Sequence, residues 1–248
     1  MNYYNEKDKK MAAWLRVNIA KGLIANGVVD ERSIEDVRPD ELAGFTQCHL
    51  FAGLGAWSLA LRRAGWPDDR AIWTGSCPCQ PFSPAGKGLG FADERHLYPA
   101  WNHLISECNP AEILGEQVAD GRAGAWIDLV QDDLEALDYA FGAVPFPAAS
   151  VGAPINSLRC YWVAKANNRQ RGAEKSTWND RNRAPAQRDQ GHRDAWKRLH
   201  GPHWRATAAG FCPDAHGAAA RMVRHSGYGN AINVEQAQAF IESVMEIA

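Results

Sequence analysis

Residues 45–55, Phe-Thr-Gln-Cys-His-Leu-Phe-Ala-Gly-Leu-Gly, decide the fold. A short β-prone run over 45–51 enters a glycine turn. Trp57, Leu59, Ala60, Leu61 and Ala64 then suit a helix that stops at Gly65-Trp66-Pro67. Strand, glycine turn, helix is the opening of a βαβ unit. Glycines at such a turn let backbone approach a nucleotide-like ligand, although they serve equally to tighten a βα loop.

Toward the C-terminus the alternation continues. A strand over 71–74 enters a Gly/Pro/Ser-rich loop over 75–90. A helix over 98–107, a strand over 111–114, a helix over 124–138 and strands over 139–146 and 159–164 follow. Strands alternating with helices predict an α/β sheet. The end of the chain reads as a helix over 233–247 with Ala237, Phe240, Ile241 and Val244 as its buried stripe. Toward the N-terminus, Met11, Trp14, Leu15, Ile19 and Leu23 predict an amphipathic helix over 9–26, stopped by Asn26-Gly27. Ser33 with Asp36 resembles a capping box opening a short second helix, limited by Pro39. Nothing in 1–43 reads as catalytic, and residues 1–44 are expected to form a helical packing or docking extension.

The chain has 248 residues, 46% hydrophobic and 23% charged, enough for one domain with a small appendage. No apolar run approaches 18 residues, which predicts no membrane span. The first dozen residues lack the pattern of a secretory signal. Six cysteines without a CxxC pair or zinc-ligand spacing predict reduced thiols, a cytoplasmic location and no metal site. The net charge of −2 hides an asymmetry. Residues 165–225 hold 13 Lys+Arg against 5 Asp+Glu, a local +8 that leaves −10 on the rest. Such a block suits a polyanionic partner, and equally a solvated loop.

The loop Gly75-Ser-Cys-Pro-Cys79-Gln-Pro-Phe-Ser83 places a cysteine after proline in a polar segment beyond a strand. The bland reading is a structural thiol in a tight turn. The chemical one is a nucleophile whose pKa is lowered by neighbouring N–H dipoles.

Five segments in order resemble the DNA (cytosine-5)-methyltransferase family. They are Phe51-Ala-Gly-Leu-Gly55; Gly75 to Ser83 with Asp93-Glu-Arg95-His-Leu97; Glu116-Gln-Val118; Val151-Gly-Ala-Pro154 through Arg159; and Gly229-Asn-Ala-Ile232. They cover about residues 45–164 and 227–247, and the compact form is similar to the short enzymes of phages and prophages. The resemblance implies a class I S-adenosylmethionine-dependent, Rossmann-like domain over 45–164 and 227–248, with a small target-recognition region over 165–226. It implies that Cys79 adds to C6 of a flipped-out cytosine, that Glu116 contacts the N3/N4 edge, and that Arg159 holds O2. It assigns S-adenosylmethionine to Phe51, Ala52, Gly53, Leu54, Gly55, Pro78, Leu97, Asn230 and Ala231. It assigns double-stranded DNA to Gln80, Ser83, Arg95, Lys165, Arg169, Arg171, Trp178, Trp196 and Trp204, with the protein a monomer on DNA.

The sequence departs from the family's pattern at three places. Only about ten residues separate the first helix from the catalytic loop, where the family has further strands carrying acids for the ribose and adenine. Asp68 and Asp69 are the only acids nearby. Ile155 and Ser157 replace a glutamine and an arginine, and Gln117 replaces an asparagine. These departures motivate an alternative: a DNA-binding relative that has lost catalysis or works with a partner subunit.

Overall fold

The computed structural model describes residues 1–78, 97–119, 123–153, 157–167 and 232–247. Among the described residues seven strands form one sheet in the order β2-β1-β3-β4-β5-β7-β6. They are β1 (Asn2–Asn5), β2 (Gly27–Asp30), β3 (Gln47–Leu50), β4 (Ile72–Gly75), β5 (Glu112–Val118), β6 (Tyr139–Pro147) and β7 (Leu158–Ala166). β7 runs antiparallel to both β5 and β6, while β2, β1, β3, β4 and β5 are mutually parallel. Among the described residues the helices are α1 (Lys9–Ala20), α2 (Ala56–Arg63), α3 (Tyr98–Cys108), α4 (Ala123–Ala136) and α5 (Val234–Ile247). This is the class I methyltransferase-like α/β sheet that the resemblance implies.

Adjacent residues of the central strands feed opposite layers, as the two-residue period of a strand requires. Trp73, Ile113 and Trp162 pack with Trp101, Leu104 and Ile105 of α3 and Trp126, Ile127 and Val130 of α4. Their neighbours Ile72, Leu114 and Tyr161 pack with Trp57 and Leu61 of α2 and Phe240 and Ile241 of α5. Burial on both faces explains why these strands read as apolar runs rather than as alternating ones. The α5 stripe is as expected: Ala237, Phe240, Ile241 and Val244 are all buried.

The N-terminal segment differs from its expectation. It contains a helix, but α1 ends at Ala20, and Asp8 caps it by accepting from the Lys10 and Met11 amides. Ala12 and Leu15 form the buried face, whereas Trp14 is 56% exposed and Leu23 lies beyond the helix. Gly27 does not stop a helix. It starts β2, where a Cβ would stand 2.3 Å from the Asn2 carbonyl oxygen, so only glycine permits the β1–β2 approach. Ser33 does not cap a helix, since its hydroxyl donates to Glu35 Oε2. Two 3₁₀ turns occupy Ile34–Asp36 and Pro39–Leu42 instead, and at the second the Glu41 carboxylate accepts from the Arg38 backbone amide at 2.9 Å. Most consequentially, β1 and β2 extend the sheet beyond β3. The sheet on the far side of β3 is thus built from residues that precede the glycine turn in the chain.

Candidate active site

The strand ends at Leu50, Gly75 and Val118 lie on one side of the sheet, where ligands of open α/β sheets bind. Two clusters flank this crevice. The first is the turn between β3 and α2. Phe51 is held at φ 52°, a left-handed conformation that strains a non-glycine residue by about 1–3 kcal/mol, and Gly53 and Gly55 follow at φ 55° and 85°. The turn is fixed by the N-terminal segment. The Ala52 amide donates to the Asn5 carbonyl at 2.9 Å and the Gly53 amide to Glu6 Oε2 at 2.8 Å. Asn18 Nδ2 donates to the Leu54 carbonyl at 3.0 Å. A Cβ on Gly55 would come 2.8 Å from Ile24 Cδ1, while one on Gly53 would meet nothing within 4 Å. One side of the turn is therefore packed against the first 24 residues and the other is open.

The second cluster joins the ends of β4, β5 and β7. Arg159 Nε lies 3.0 Å from Glu116 Oε1, and both side chains are largely buried. The Ser76 hydroxyl also hydrogen-bonds Glu116, and it accepts from Trp57 Nε1 at 3.1 Å. Burial raises the Glu116 pKa. Arg159 and Ser76 both pull the other way, but desolvation outweighs them. A carboxyl in this state retains a proton above its ordinary range while remaining tied to donors. Gln117 donates from Nε2 to the Cys77 carbonyl at 3.2 Å, pinning the base of the Cys77-Pro78-Cys79 loop to β5. The extra methylene relative to asparagine gives it that reach. His49, by contrast, is a core residue. Its Nδ1 lies 2.8 Å from Thr74 Oγ1, and full burial lowers its pKa to about 3, so it is neutral.

The structure brings Phe51, Ala52, Gly53, Leu54, Gly55 and Pro78 to the crevice, with Glu116 and Arg159. Leu97 immediately precedes α3 and packs against the core. Cys79, Gln80, Ser83, Arg95, Arg169, Arg171, Trp178, Trp196, Trp204, Asn230 and Ala231 lie outside the described residues. Lys165 is not brought to this site. It pairs with Glu112 at 3.3 Å, at the opposite end of β5, about 13 Å along the strand from Glu116. Asp68 and Asp69 precede β4 and so lie toward the other side of the sheet, with Asp68 held by Arg62 at 2.6 Å. Sequence reasoning missed Asn5, Glu6 and Asn18, which hold the glycine turn, and Ser76 and Trp57, which hold Glu116. Ser76 adjoins the singled-out cysteine loop, which is a usable signal. For Glu6 the only signal is an acid following a short polar–aromatic run.

Among known proteins, a family model described as C-5 cytosine-specific DNA methylase matches residues 67–205, more than half of the chain. The Type II methyltransferase M1.ScrFI of Lactococcus lactis subsp. cremoris is 37% identical over 99 residues, covering 38% of this chain and 25% of that protein. The Type II methyltransferase M.HhaI of Haemophilus parahaemolyticus is 27% identical over 172 residues, covering 54% of this chain and 53% of that protein. The chain thus spans between a quarter and about half of the curated relatives it matches. Among solved structures, a Spodoptera frugiperda DNMT2 mutant superposes with a TM-score of 0.41 at 16% identity, covering 71% of this chain and 53% of that one.

Proposed function

The chain belongs to the C-5 cytosine-specific DNA methylase family, and on that premise we propose that it transfers a methyl group from S-adenosylmethionine to C5 of a flipped-out cytosine in double-stranded DNA. The observation that carries this reading is the buried Glu116, kept protonatable by desolvation and oriented by Arg159 and Ser76, one strand away from the loop leading to Cys79.

Cytosine C5 is too weak a nucleophile to take a methyl group unaided. The Cys79 thiolate forms a bond to C6, and the C5=C6 electron pair moves onto the ring. The Glu116 carboxyl, whose proton is favoured by burial, hydrogen-bonds N3 and neutralises the charge developing there. Arg159 spends Nε on Glu116 and keeps its Nη donors for O2. The sulfonium cofactor, when bound, supplies an electrophilic methyl carbon to the activated C5. The C5 proton then leaves to a base, the C6–S bond breaks, and Cys79 is restored. The turn fits such a cofactor: Gly53 has an open face, and the left-handed backbone at Phe51, Gly53 and Gly55 exposes main chain rather than side chain. Phe51 to Gly55, Pro78 and Leu97, with Asn230 and Ala231, would hold it. The basic segment over 165–226 would neutralise DNA phosphates through Arg169 and Arg171, with Trp178, Trp196 and Trp204 as stacking or packing surfaces.

The test uses duplex DNA in which 5-fluorocytosine replaces cytosine. Fluorine cannot leave C5 as a proton would, so the C6–Cys79 adduct should persist in the presence of S-adenosylmethionine. Intact mass should show a protein–DNA adduct for the wild type and none for Cys79→Ser. An adduct in the variant would refute Cys79 as nucleophile.

A further inference from the structure

We propose that Ser76 is a positioning residue for Glu116: oriented by Trp57, its hydroxyl donates to the carboxyl, fixes its direction and eases the release of its proton. This role rests on the reading of Glu116 as the acid of methyl transfer.

In the sheet, Gly75 of β4 pairs with Gly115 of β5, so Ser76, which directly follows β4, stands beside Glu116. The two side chains share a face, because Ile72 and Leu114, an even number of residues before them, both pack toward α2 and α5. On the other flank Tyr161 of β7 pairs with Glu116, and Arg159, two residues before it, reaches Oε1 at 3.0 Å. Glu116 is thus held from both neighbouring strands. A serine hydroxyl has one proton and two lone pairs, and an indole N–H only donates. Trp57 Nε1 occupies one lone pair of Ser76 at 3.1 Å. The indole is fixed, since Trp57 is 3% exposed and packs edge-on against Tyr161 at a centroid distance of 5.9 Å. The Ser76 proton is therefore directed at Glu116, where it favours the ionised carboxyl, as Arg159 does and as burial does not.

Glu112, on the same face of β5, shows the alternative. It is also buried, but it takes two cations, Arg70 at 3.5 Å and Lys165 at 3.3 Å. Two full charges hold a carboxylate ionised. Glu116 has one cation and one neutral hydroxyl, a set that orients the carboxyl without locking its charge. Among the described residues, the other titratable groups that feel the Glu116 charge are Cys160 and Tyr161 of β7. Burial pushes Cys160 up to about 12 and raises Tyr161 as well, so both are neutral where the protein works. Of the helices packed on this face, Arg62 and Arg63 of α2 pair with Asp68 and Glu235, and Glu242 and Glu246 of α5 are exposed. The proton on Glu116 is therefore governed by burial, Arg159 and Ser76.

Infrared titration of the full-length protein reads the Glu116 proton without turnover. The band to follow is the protonated carboxyl stretch present in wild type and absent from Glu116→Gln. Its midpoint should rise by about one pH unit in Ser76→Ala, because a hydrogen bond to the charged form is lost. Trp57→Phe keeps a packed ring and removes the N–H, so its midpoint should rise by less. The alkaline limb of the single-turnover methyl-transfer rate should move upward with the band in each variant. Unchanged midpoints would overturn the proposal even if the rate fell, since a purely structural role slows the reaction without moving the proton. Should Ser76→Ala fail to fold, Trp57→Phe decides alone. Shifted midpoints in a protein that transfers no methyl group would support the link between Ser76 and Glu116 and overturn the methyl-transfer reading.

Discussion

The two flanks of the crevice are built on opposite principles. At the glycine turn, main chain is exposed and polar groups are shared out between backbone donors, with Glu6 in contact with solvent. At Glu116 the polar groups are buried and tied into a closed chain, from Trp57 through Ser76 to the carboxyl and on to Arg159. The first arrangement suits a ligand recognised by shape and hydroxyls, with little perturbation of charge. The second suits a group whose protonation must change during a reaction, because here burial outweighs the arginine and shifts the carboxyl upward. In the proposed function, binding and chemistry occupy different dielectric surroundings within one crevice.

Four substitutions sharpen or break that contrast. Glu116→Gln should lower turnover by about 10²- to 10⁴-fold, the usual worth of a positioned acid, with cofactor affinity unchanged in titration. A parallel loss of cofactor affinity would merge the two flanks. Arg159→Ala leaves Glu116 buried without its counter-charge, and denaturant unfolding should show a loss of about 3–5 kcal/mol. Gly55→Ala forces a left-handed alanine into Ile24 and should cost about 2–4 kcal/mol, with cofactor affinity falling as well. Asn18→Ala removes one donor to the Leu54 carbonyl and should cost about 1 kcal/mol by the same assay.

The pH dependence of stability distinguishes the flanks further. The folded-state pKa of Glu116 lies above its ordinary value of 4.5, so the folded protein holds this proton more tightly than the unfolded chain does. Its contribution is therefore most favourable below that value and is lost as pH rises through the folded pKa. Melting temperatures of wild type and Glu116→Gln, compared upward from pH 4.5, should diverge in that sense. A wild-type curve parallel to that of the variant would contradict the buried, raised carboxyl.

The strands from β3 to β7 and the helix α5 were legible because their apolar runs and glycine stops are long enough to carry a pattern. Glu116 and Arg159 were legible through motif order. β1 and β2 were not, for a physical reason. They are four residues each, and Asn2 and Asn5 of β1 are buried polar residues that the sequence alone reads as surface. Their burial is licensed by partners distant in sequence: Asn2 accepts from the Gln47 amide at 3.2 Å, and Asn5 Nδ2 donates to the Arg32 carbonyl at 2.9 Å. The Glu6 hydrogen bond to Gly53 was hidden with them, because it depends on which strand β1 lies beside. Asp68 and Asp69 were near the right motif in sequence and on the wrong side of the sheet in space.

The central claim is methyl transfer through this crevice, and it is tested most directly with S-adenosylmethionine carrying a labelled methyl group and mixed-sequence duplex DNA. Wild-type protein should convert label to 5-methylcytosine, and Cys79→Ser should transfer none while still binding DNA. Wild-type protein that binds DNA and cofactor but yields no labelled 5-methylcytosine would contradict the account.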